Sequence, residues 1–253
     1  MMQVVRETNI FFVRKLKESA RQIVWVISGL MTPLLYILLF SPLLKKITHP
    51  AMTTAQVLDM FVPGILVLLA FSSGMGAGWS MVFDLKSGII ERLRVTPASR
   101  FAMLMGGVLK DVVAFLIPAI IVLVISSLFG YEMHVVGILL QLILLSVLTM
   151  MVSAWSGSLG LIFQDVGGVA AVVTSLQLPL TLLSGILLPM SFGPKWLQVL
   201  AHFNPLYYGV EASKKLAEGS IMNQSVFVGF IVIVVITIIT LIWSTRVYNK
   251  AIA

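Results

Sequence analysis

The chain has 253 residues, of which 59% are hydrophobic and 11% are charged, and it contains no cysteine. About a quarter of the residues of a soluble globular protein are charged, so this composition indicates a membrane protein with several spans. The missing cysteines exclude disulfides, cysteine metal sites and thiol catalysis. The net charge of +7 is better explained by orientation in a membrane with anionic lipids than by nucleic-acid binding, because the basic residues gather between particular apolar stretches.

Residues 3–21 are predicted to form a basic amphipathic helix. At helical spacing, one side carries the apolar residues Val5, Phe12, Val13, Leu16 and Ala20, and the other side carries the charged residues Glu7, Arg14, Lys17, Glu18 and Arg21. A helix of this kind lies in the membrane interface and does not cross the bilayer.

Six apolar stretches are long enough to cross a hydrocarbon core of roughly 30 Å, which takes about twenty helical residues. We predict spans at residues 23–44, 57–81, 108–128, 137–163, 169–188 and 226–244. The polar stretches between them are too short for an independent core. The sequence therefore predicts an all-α, polytopic membrane protein in which residues 1–253 form a single transmembrane domain.

The second span contains a run of small residues in which Gly74 and Gly78 form a G-x-x-x-G face. Such a face lets another helix approach closely, and packing is the favoured interpretation. The alternative is a wall that adapts to bulky apolar cargo, since Phe71, Met75 and Trp79 accompany the glycines and methionine side chains repack easily.

The fifth span carries polar side chains in a segment that is otherwise apolar: Thr174, Ser175, Gln177, Thr181 and Ser184. Polar groups are costly when they face lipid, so these side chains are expected to face protein or a water-accessible path. Gln177 is the first candidate for a group that faces such a path.

The loop at residues 83–102 carries more charged residues than any other connection between the spans. It collects four basic residues, Lys86, Arg92, Arg94 and Arg100, beside Asp84 and Glu91. Basic loops between spans lie on the cytoplasmic side. Within it, residues 85–94 are predicted to form a short helix with Ile89 and Leu93 on one face, ended by Pro97. A helix this short is not stable alone in water, so it is expected to dock against another part of the protein or a partner. The alternative is a solvated helix in the interface that only joins two spans.

This loop orients the whole chain. With residues 83–102 inside, twelve basic residues lie on the cytoplasmic side and five on the other, and both termini are cytoplasmic. Residues 189–223 then lie outside, where Pro189, Gly193, Pro194 and Pro205 divide them into short pieces. A re-entrant or interfacial helical hairpin satisfies the backbone of this outer segment better than an open chain would.

Two motifs carry a resemblance to a known family. The first is E-x-L-x-x-x-P-x-S-R, formed by Glu91, Leu93, Pro97, Ser99 and Arg100, with Gly106, Lys110 and Asp111 opening the third span. The second is N-P-L-Y-Y at residues 204–208, before the last span. Both motifs, in register with six spans, resemble the ABC type-2 (ABC-2) export permeases, and the resemblance covers essentially the whole chain.

The resemblance implies roles for particular residues. The 85–94 helix would be a coupling helix that seats in a cleft of a separate ATPase subunit, and residues 3–21 would flank that subunit, although a plain lipid anchor stays equally open for them. The implied ATPase-coupling residues are Leu85, Lys86, Ile89, Glu91, Arg92 and Arg94, with Asp165 in the turn at 164–168 as a second, smaller contact. The second and fifth spans would line the path of a dimer through Phe71, Met75, Trp79, Thr174, Gln177 and Thr181. Phe192, Asn204 and Tyr207 would belong to an outer gate.

The sequence contains no G-x-x-x-x-G-K-[S/T] loop to hold phosphate, so this chain is not expected to be an enzyme that hydrolyses ATP. We expect a permease that pairs with its own copy and with ATP-binding cassette subunits, which would hold the ATP and Mg. It would export a hydrophobic or amphipathic substrate, such as a drug, antibiotic or lipid-like molecule, across a bacterial inner membrane. A polysaccharide exporter, a scaffold and an ATP-independent secondary transporter stay open; the last is disfavoured because the carboxylates fall at interfaces or loops.

Overall fold

The computed structural model describes residues 2–20, 54–94, 99–186 and 193–252, together with Met31, Leu35 and Met190. The predicted first span, at 23–44, lies outside these residues except for Met31 and Leu35, which are helical. In the described part the elements are α1 Met2–Ala20, α2 Thr54–Lys86, α3 Ile89–Arg94, α4 Arg100–Leu128, α5 Val135–Phe163, α6 Val166–Leu182, α7 Lys195–Ala201, α8 Pro205–Ala217 and α9 Gln224–Ile252. All of these elements are helices, so the all-α prediction is confirmed for the described residues.

Among the described residues, four helices are long and apolar enough to cross a membrane: Leu58–Lys86, Arg100–Leu128, Val135–Phe163 and Gln224–Ala251. They contain most of the predicted second, third, fourth and sixth spans. The apolar helix α6 has 17 residues, which at 1.5 Å per residue is about 26 Å. The count of six spans stays a prediction.

The helices and the predicted spans differ mainly at their ends. The helix α2 continues to Lys86 and α4 already begins at Arg100, because helical hydrogen bonding continues past the apolar stretch that the hydropathy pattern detects. The helix α6 ends at Leu182, six residues before the end of the predicted fifth span. A turn follows in which Gly185 has a φ of 77°, a left-handed conformation that glycine adopts readily and that ends helices.

The helices α2 and α5 pack closely in the core of the bundle. A Cβ atom added to Gly74 would lie 2.7 Å from Val152 Cβ, and one added to Gly78 would lie 2.8 Å from Ser156 O, whereas one added to Gly76 would meet nothing within 4 Å. The packing face predicted for Gly74 and Gly78 is therefore confirmed.

The predicted outer segment at 189–223 contains the two helices α7 and α8. The helix α8 belongs to the core, since Leu206, Val210 and Leu216 are buried and Gly209 packs beside Leu148. The helix α7 lies at the surface and has one buried residue, Ala201. Whether this pair of helices re-enters the membrane stays a prediction.

Candidate functional site

The predicted coupling helix at 85–94 is two pieces in the structure, so its predicted continuity was wrong. Leu85 and Lys86 form the last turn of α2, and the short helix α3 begins at Ile89. Between them Gly88 has a φ of 70°, and its N–H donates to Leu85 O at 3.1 Å. A glycine in this left-handed conformation is a common end to a helix, and it lets the chain turn sharply before α3.

The helix α3 docks its apolar side into its own chain. Ile90 is 2% exposed and packs in a cluster with Leu104, Val108 and Tyr248, and Leu85 and Leu93 pack against the same cluster. Ile89 lines a cavity beside the cluster. The docking that so short a helix needs is thus supplied within the chain, and the side chains of Leu85 and Ile89 are directed inward.

The charged side of α3 faces away from the bundle. Glu91 and Arg92 are exposed, as are Lys86 and Asp165, whose side chains are 57% and 64% exposed. Lys86 Nζ lies 3.9 Å from Asp165 Oδ1, so the structure brings the two predicted contact regions side by side. The side chain of Arg94 lies outside the described part of the structure. An exposed pair at this distance contributes little to stability, but it shows that one polar surface joins the two turns.

Asp165 also has a local role as the N-cap of α6. Its Oδ2 accepts a hydrogen bond from Gly168 N at 2.9 Å. This bond, and to a smaller degree the charge of Lys86, holds the pKa of the Asp165 carboxyl below its ordinary value. The ordinary explanation of this residue as a turn-forming Asp therefore holds, while its Oδ1 faces Lys86 at the surface.

Arg100, in the first family-like motif, reaches back to α3. Its Nη1 donates a hydrogen bond to Leu93 O at 3.3 Å, which satisfies a carbonyl in the last turn of the short helix. The motif thus joins the end of α3 to the start of α4.

Beneath α3 lies a buried ionic cluster that the sequence did not reveal. Asp84 is 3% exposed and is paired with Lys15 of α1, and Asp111 is 2% exposed and is paired with Lys110. Ser153 Oγ donates to Asp111 Oδ2 at 2.6 Å. The cluster borders a cavity of about 50 Å³, enough for a few water molecules. The expectation that the carboxylates sit in interfaces or loops did not include burial within the protein, and the position of these two near predicted span ends beside lysines was the available signal.

The predicted path residues are spread between the core and the surface of one chain. Phe71 and Met75 are buried in the core, and Trp79 is partly buried against it. On α6, Thr174 is exposed and its Oγ1 donates to Ala170 O at 2.7 Å, while Gln177 and Thr181 are half-buried. Phe71 and Met75 are therefore not on a surface of the single chain, and a path role for the six residues stays a prediction.

The predicted outer-gate residues have structural contacts. Asn204 is buried; its Oδ1 accepts from Leu206 N at 3.0 Å as the N-cap of α8, and its Nδ2 donates to Leu180 O at 2.7 Å. Tyr207 packs edge-on against His202, with ring centroids 5.1 Å apart. Phe192 lies outside the described residues. Asn204 thus ties α8 to α6, and a gating role for these residues stays a prediction.

Comparison with known proteins adds a family to this geometry. A family model for ABC-2 type transporters matches residues 6–216. A putative transport permease, ycf38, of Cyanophora paradoxa is 28% identical over 233 residues, which cover 87% of this chain and 80% of the relative.

Two bacterial relatives match over similar lengths. The daunorubicin resistance ABC transporter permease protein DrrB1 of Streptomyces coeruleorubidus is 26% identical over 78% of this chain and 70% of its own. The inner membrane transport permease YadH of Escherichia coli K12 is 25% identical over 87% of this chain and 88% of its own. With most of its length matched by the family model and with apolar helices long enough to span a membrane, this chain belongs to the ABC-2 type transporter family as a membrane permease.

Proposed function

We propose that this chain is the membrane-spanning subunit of an ATP-driven exporter, in which two copies of the chain act with two separate ATP-binding cassette subunits. The observation that carries the proposal is the arrangement of α3. Its apolar residues are docked in the bundle, while Lys86, Glu91, Arg92 and Asp165 leave a charged surface open beside it.

A charged surface of both signs suits a protein partner. Charges arranged in a pattern select a partner of complementary pattern and set the register of the contact. The sequence has no phosphate-binding loop of its own. In the proposed complex, ATP and Mg²⁺ are therefore bound by the partner, and movement of the partner is transmitted through α3 to α2 and α4.

The surface of α6 supports a second copy of the chain as the other partner. Along its 17 residues only Val169 and Val173 are buried, and Thr174 and Ser175 are exposed. Exposed polar groups in a span are unfavourable against lipid, so a neighbouring protein or a water-accessible path is the more stable surrounding. In the proposed dimer, α6 and α2 of the two copies enclose the substrate path.

The name of one relative supports a hydrophobic or amphipathic substrate. DrrB1 is named for resistance to daunorubicin. We propose cargo of that chemical class, moved outward across the bacterial inner membrane, with both termini of the chain in the cytoplasm. The common position of α1, α3 and the last turns of α9 at one end of the bundle supports the placement of the termini on one side.

The test uses the permease purified from native membranes with its copurifying ATP-binding subunit and reconstituted into vesicles. Glu91→Lys is expected to reduce ATP-driven transport of an amphipathic dye about tenfold, because the reversed charge opposes the docked partner. Glu132→Lys is the matched control, since it makes the same charge change at an exposed residue of the opposite end. Absence of an ATP-binding subunit, or transport by wild type that needs no ATP, would overturn the proposal.

A further inference from the structure

Three side chains of α1 form a stripe that faces the bundle. Glu7, Phe11 and Lys15 are spaced four residues apart, so they lie on one face of the helix. Glu7 Oε2 accepts a hydrogen bond from Ser99 N at 2.8 Å, and Lys15 pairs with the buried Asp84. This α1 stripe is polar at both ends and aromatic in the middle.

The stripe contacts the chain immediately before and after the segment that carries α3. Asp84 lies two residues before the end of α2, and Ser99 lies at the N-cap of α4. Glu7 and Lys15 are eight residues apart, about 12 Å along a helix. One rigid helix therefore holds both ends of the 85–98 segment.

The middle of the stripe is held by close backbone approach. A Cβ atom added to Gly106 of α4 would lie 2.5 Å from Phe11 Cβ and 3.0 Å from Phe12 N. The adjacent Gly107 has nothing within 4 Å of the same position. The two glycines thus form a natural pair in which only the first is needed for α1 to sit against α4.

The opposite side of α1 points away from the bundle. Val13 is exposed on that side, and Val5 and Ile10 are exposed on its two flanks. The helix α1 puts Val5, Phe12, Val13 and Leu16 on one side, as the spacing predicts; Val5 and Val13 are exposed, and Phe12 and Leu16 are half-buried. Glu7, grouped by its charge with the other side, faces the protein through its hydrogen bond with Ser99. The hydrogen bond from Ser99 also lowers the pKa of the Glu7 carboxyl, so this carboxylate is ionised at neutral pH.

We infer that Glu7, Phe11 and Lys15 are positioning residues that fix α3 relative to the spans. The stripe makes α1 a brace between the two ends of the coupling segment, and α1 transmits movement of α3 to α2 and α4 together. Without the brace, α3 keeps its own apolar docking, but α1 no longer holds the two ends of the segment that carries it, and the position of α1 relative to α3 is no longer fixed. This role rests on the proposed coupling function of α3, while the geometry of the brace does not depend on any partner.

The first test measures geometry in the permease alone. Because the chain has no cysteine, Ile10→Cys and Arg92→Cys can be spin-labelled as the only pair, and both positions are exposed. The expected result is one narrow distance distribution, which broadens or shifts in Lys15→Ala and returns in the exchanged pair Lys15→Asp with Asp84→Lys. Lys17→Ala, on the exposed side of α1, leaves it narrow. An unchanged distribution in Lys15→Ala would overturn the inference.

A second pair of variants avoids leaving a buried charge without its partner, in case Lys15→Ala does not fold. Gly106→Ala is expected to broaden the distribution because it pushes Phe11 away, and Gly107→Ala is expected to leave it unchanged. Equal distributions for the two glycine variants would contradict the brace.

The second test measures coupling in the complex with its ATP-binding subunit. Lys15→Ala is expected to lower the amount of substrate moved per ATP hydrolysed about fivefold, and the exchanged pair to recover most of it. If Lys15→Ala moves as much substrate per ATP as wild type does, the inferred role of α1 is wrong, while the proposed function of the chain still stands. If wild type shows no ATP-driven transport, the proposed function fails, and the spin-label distances still decide whether α1 positions α3.

Discussion

The two ends of the bundle are held together in different ways. At the α3 end, Asp84 and Asp111 are buried, and each is paired with a lysine. At the end that carries α8, polar side-chain atoms of Ser126, Tyr131, Gln141 and Ser213 are buried with no hydrogen-bond partner among the described residues. The helices α5 and α8 pack closely at this end, where Gly137 approaches Leu216 and Gly209 approaches Leu148.

The difference leads to a different expectation for each end of the bundle. Paired buried charges resist separation, because pulling them apart leaves an uncompensated charge in the low-dielectric interior of the protein. Unpartnered polar groups are destabilising where they are, so the α8 end is expected to be held less firmly than the α3 end. We therefore expect the α3 end to move as one body and the α8 end to change its packing during transport.

The largest expected effect on stability comes from a substitution that breaks a buried charge pair at the α3 end. Asp111→Ala removes the partner of Lys110 and of Ser153 and is expected to lower the free energy of unfolding by about 3–5 kcal/mol. Thermal unfolding of the purified protein in detergent measures it. The control is Lys86→Ala, which removes an exposed pair and should leave the melting temperature nearly unchanged. Equal losses in the two variants would remove the contrast between buried and exposed pairs.

An intermediate effect of opposite sign is expected at the α8 end. Gln141→Met replaces an amide without partners by an apolar side chain of similar shape and should raise the free energy of unfolding by about 1 kcal/mol. Ser153→Ala, at the α3 end, should lower it, because it leaves Asp111 without its hydroxyl donor. A clear loss of stability in Gln141→Met would show that the amide has hydrogen-bond partners in the folded protein. It would contradict the proposed difference between the two ends.

The smallest effect concerns the exposed cap at the α3 end. The folded-state pKa of Asp165 is below the ordinary value, so its contribution is present above that ordinary value and is lost as the pH falls through the lowered pKa. The difference in melting temperature between wild type and Asp165→Ala should therefore shrink as the pH is lowered from neutral into this acidic range. A difference that grows on acidification would contradict the charged cap.

Much of the fold could be predicted from the sequence because its signals are local. The long apolar runs that become α2, α4, α5 and α9 need no knowledge of distant residues. The close packing at Gly74 was also readable, since small residues four apart serve that purpose whatever the partner helix is.

Two of the failures share a cause, which is that the deciding partner is distant in the chain. Amphipathic spacing placed Glu7 on a solvated face, yet its partner is Ser99, 92 residues away. Asp84 was assigned to a loop because a charged side chain is unfavourable in apolar surroundings. Its pairing with Lys15 makes burial possible. The break at Gly88 was a local signal, since glycine commonly ends a helix, and it was outweighed by the apolar spacing of Ile89 and Leu93.

The most direct test of the account asks what α3 touches in the native membrane. A photo-crosslinking amino acid at position 91, compared with one at position 132 at the opposite end, reports the neighbour of each site without disturbing the core. The account predicts that position 91 forms an adduct with an ATP-binding subunit and that position 132 does not. No adduct from position 91, under conditions in which ATP-driven transport continues, would contradict the central claim that force enters the permease through α3.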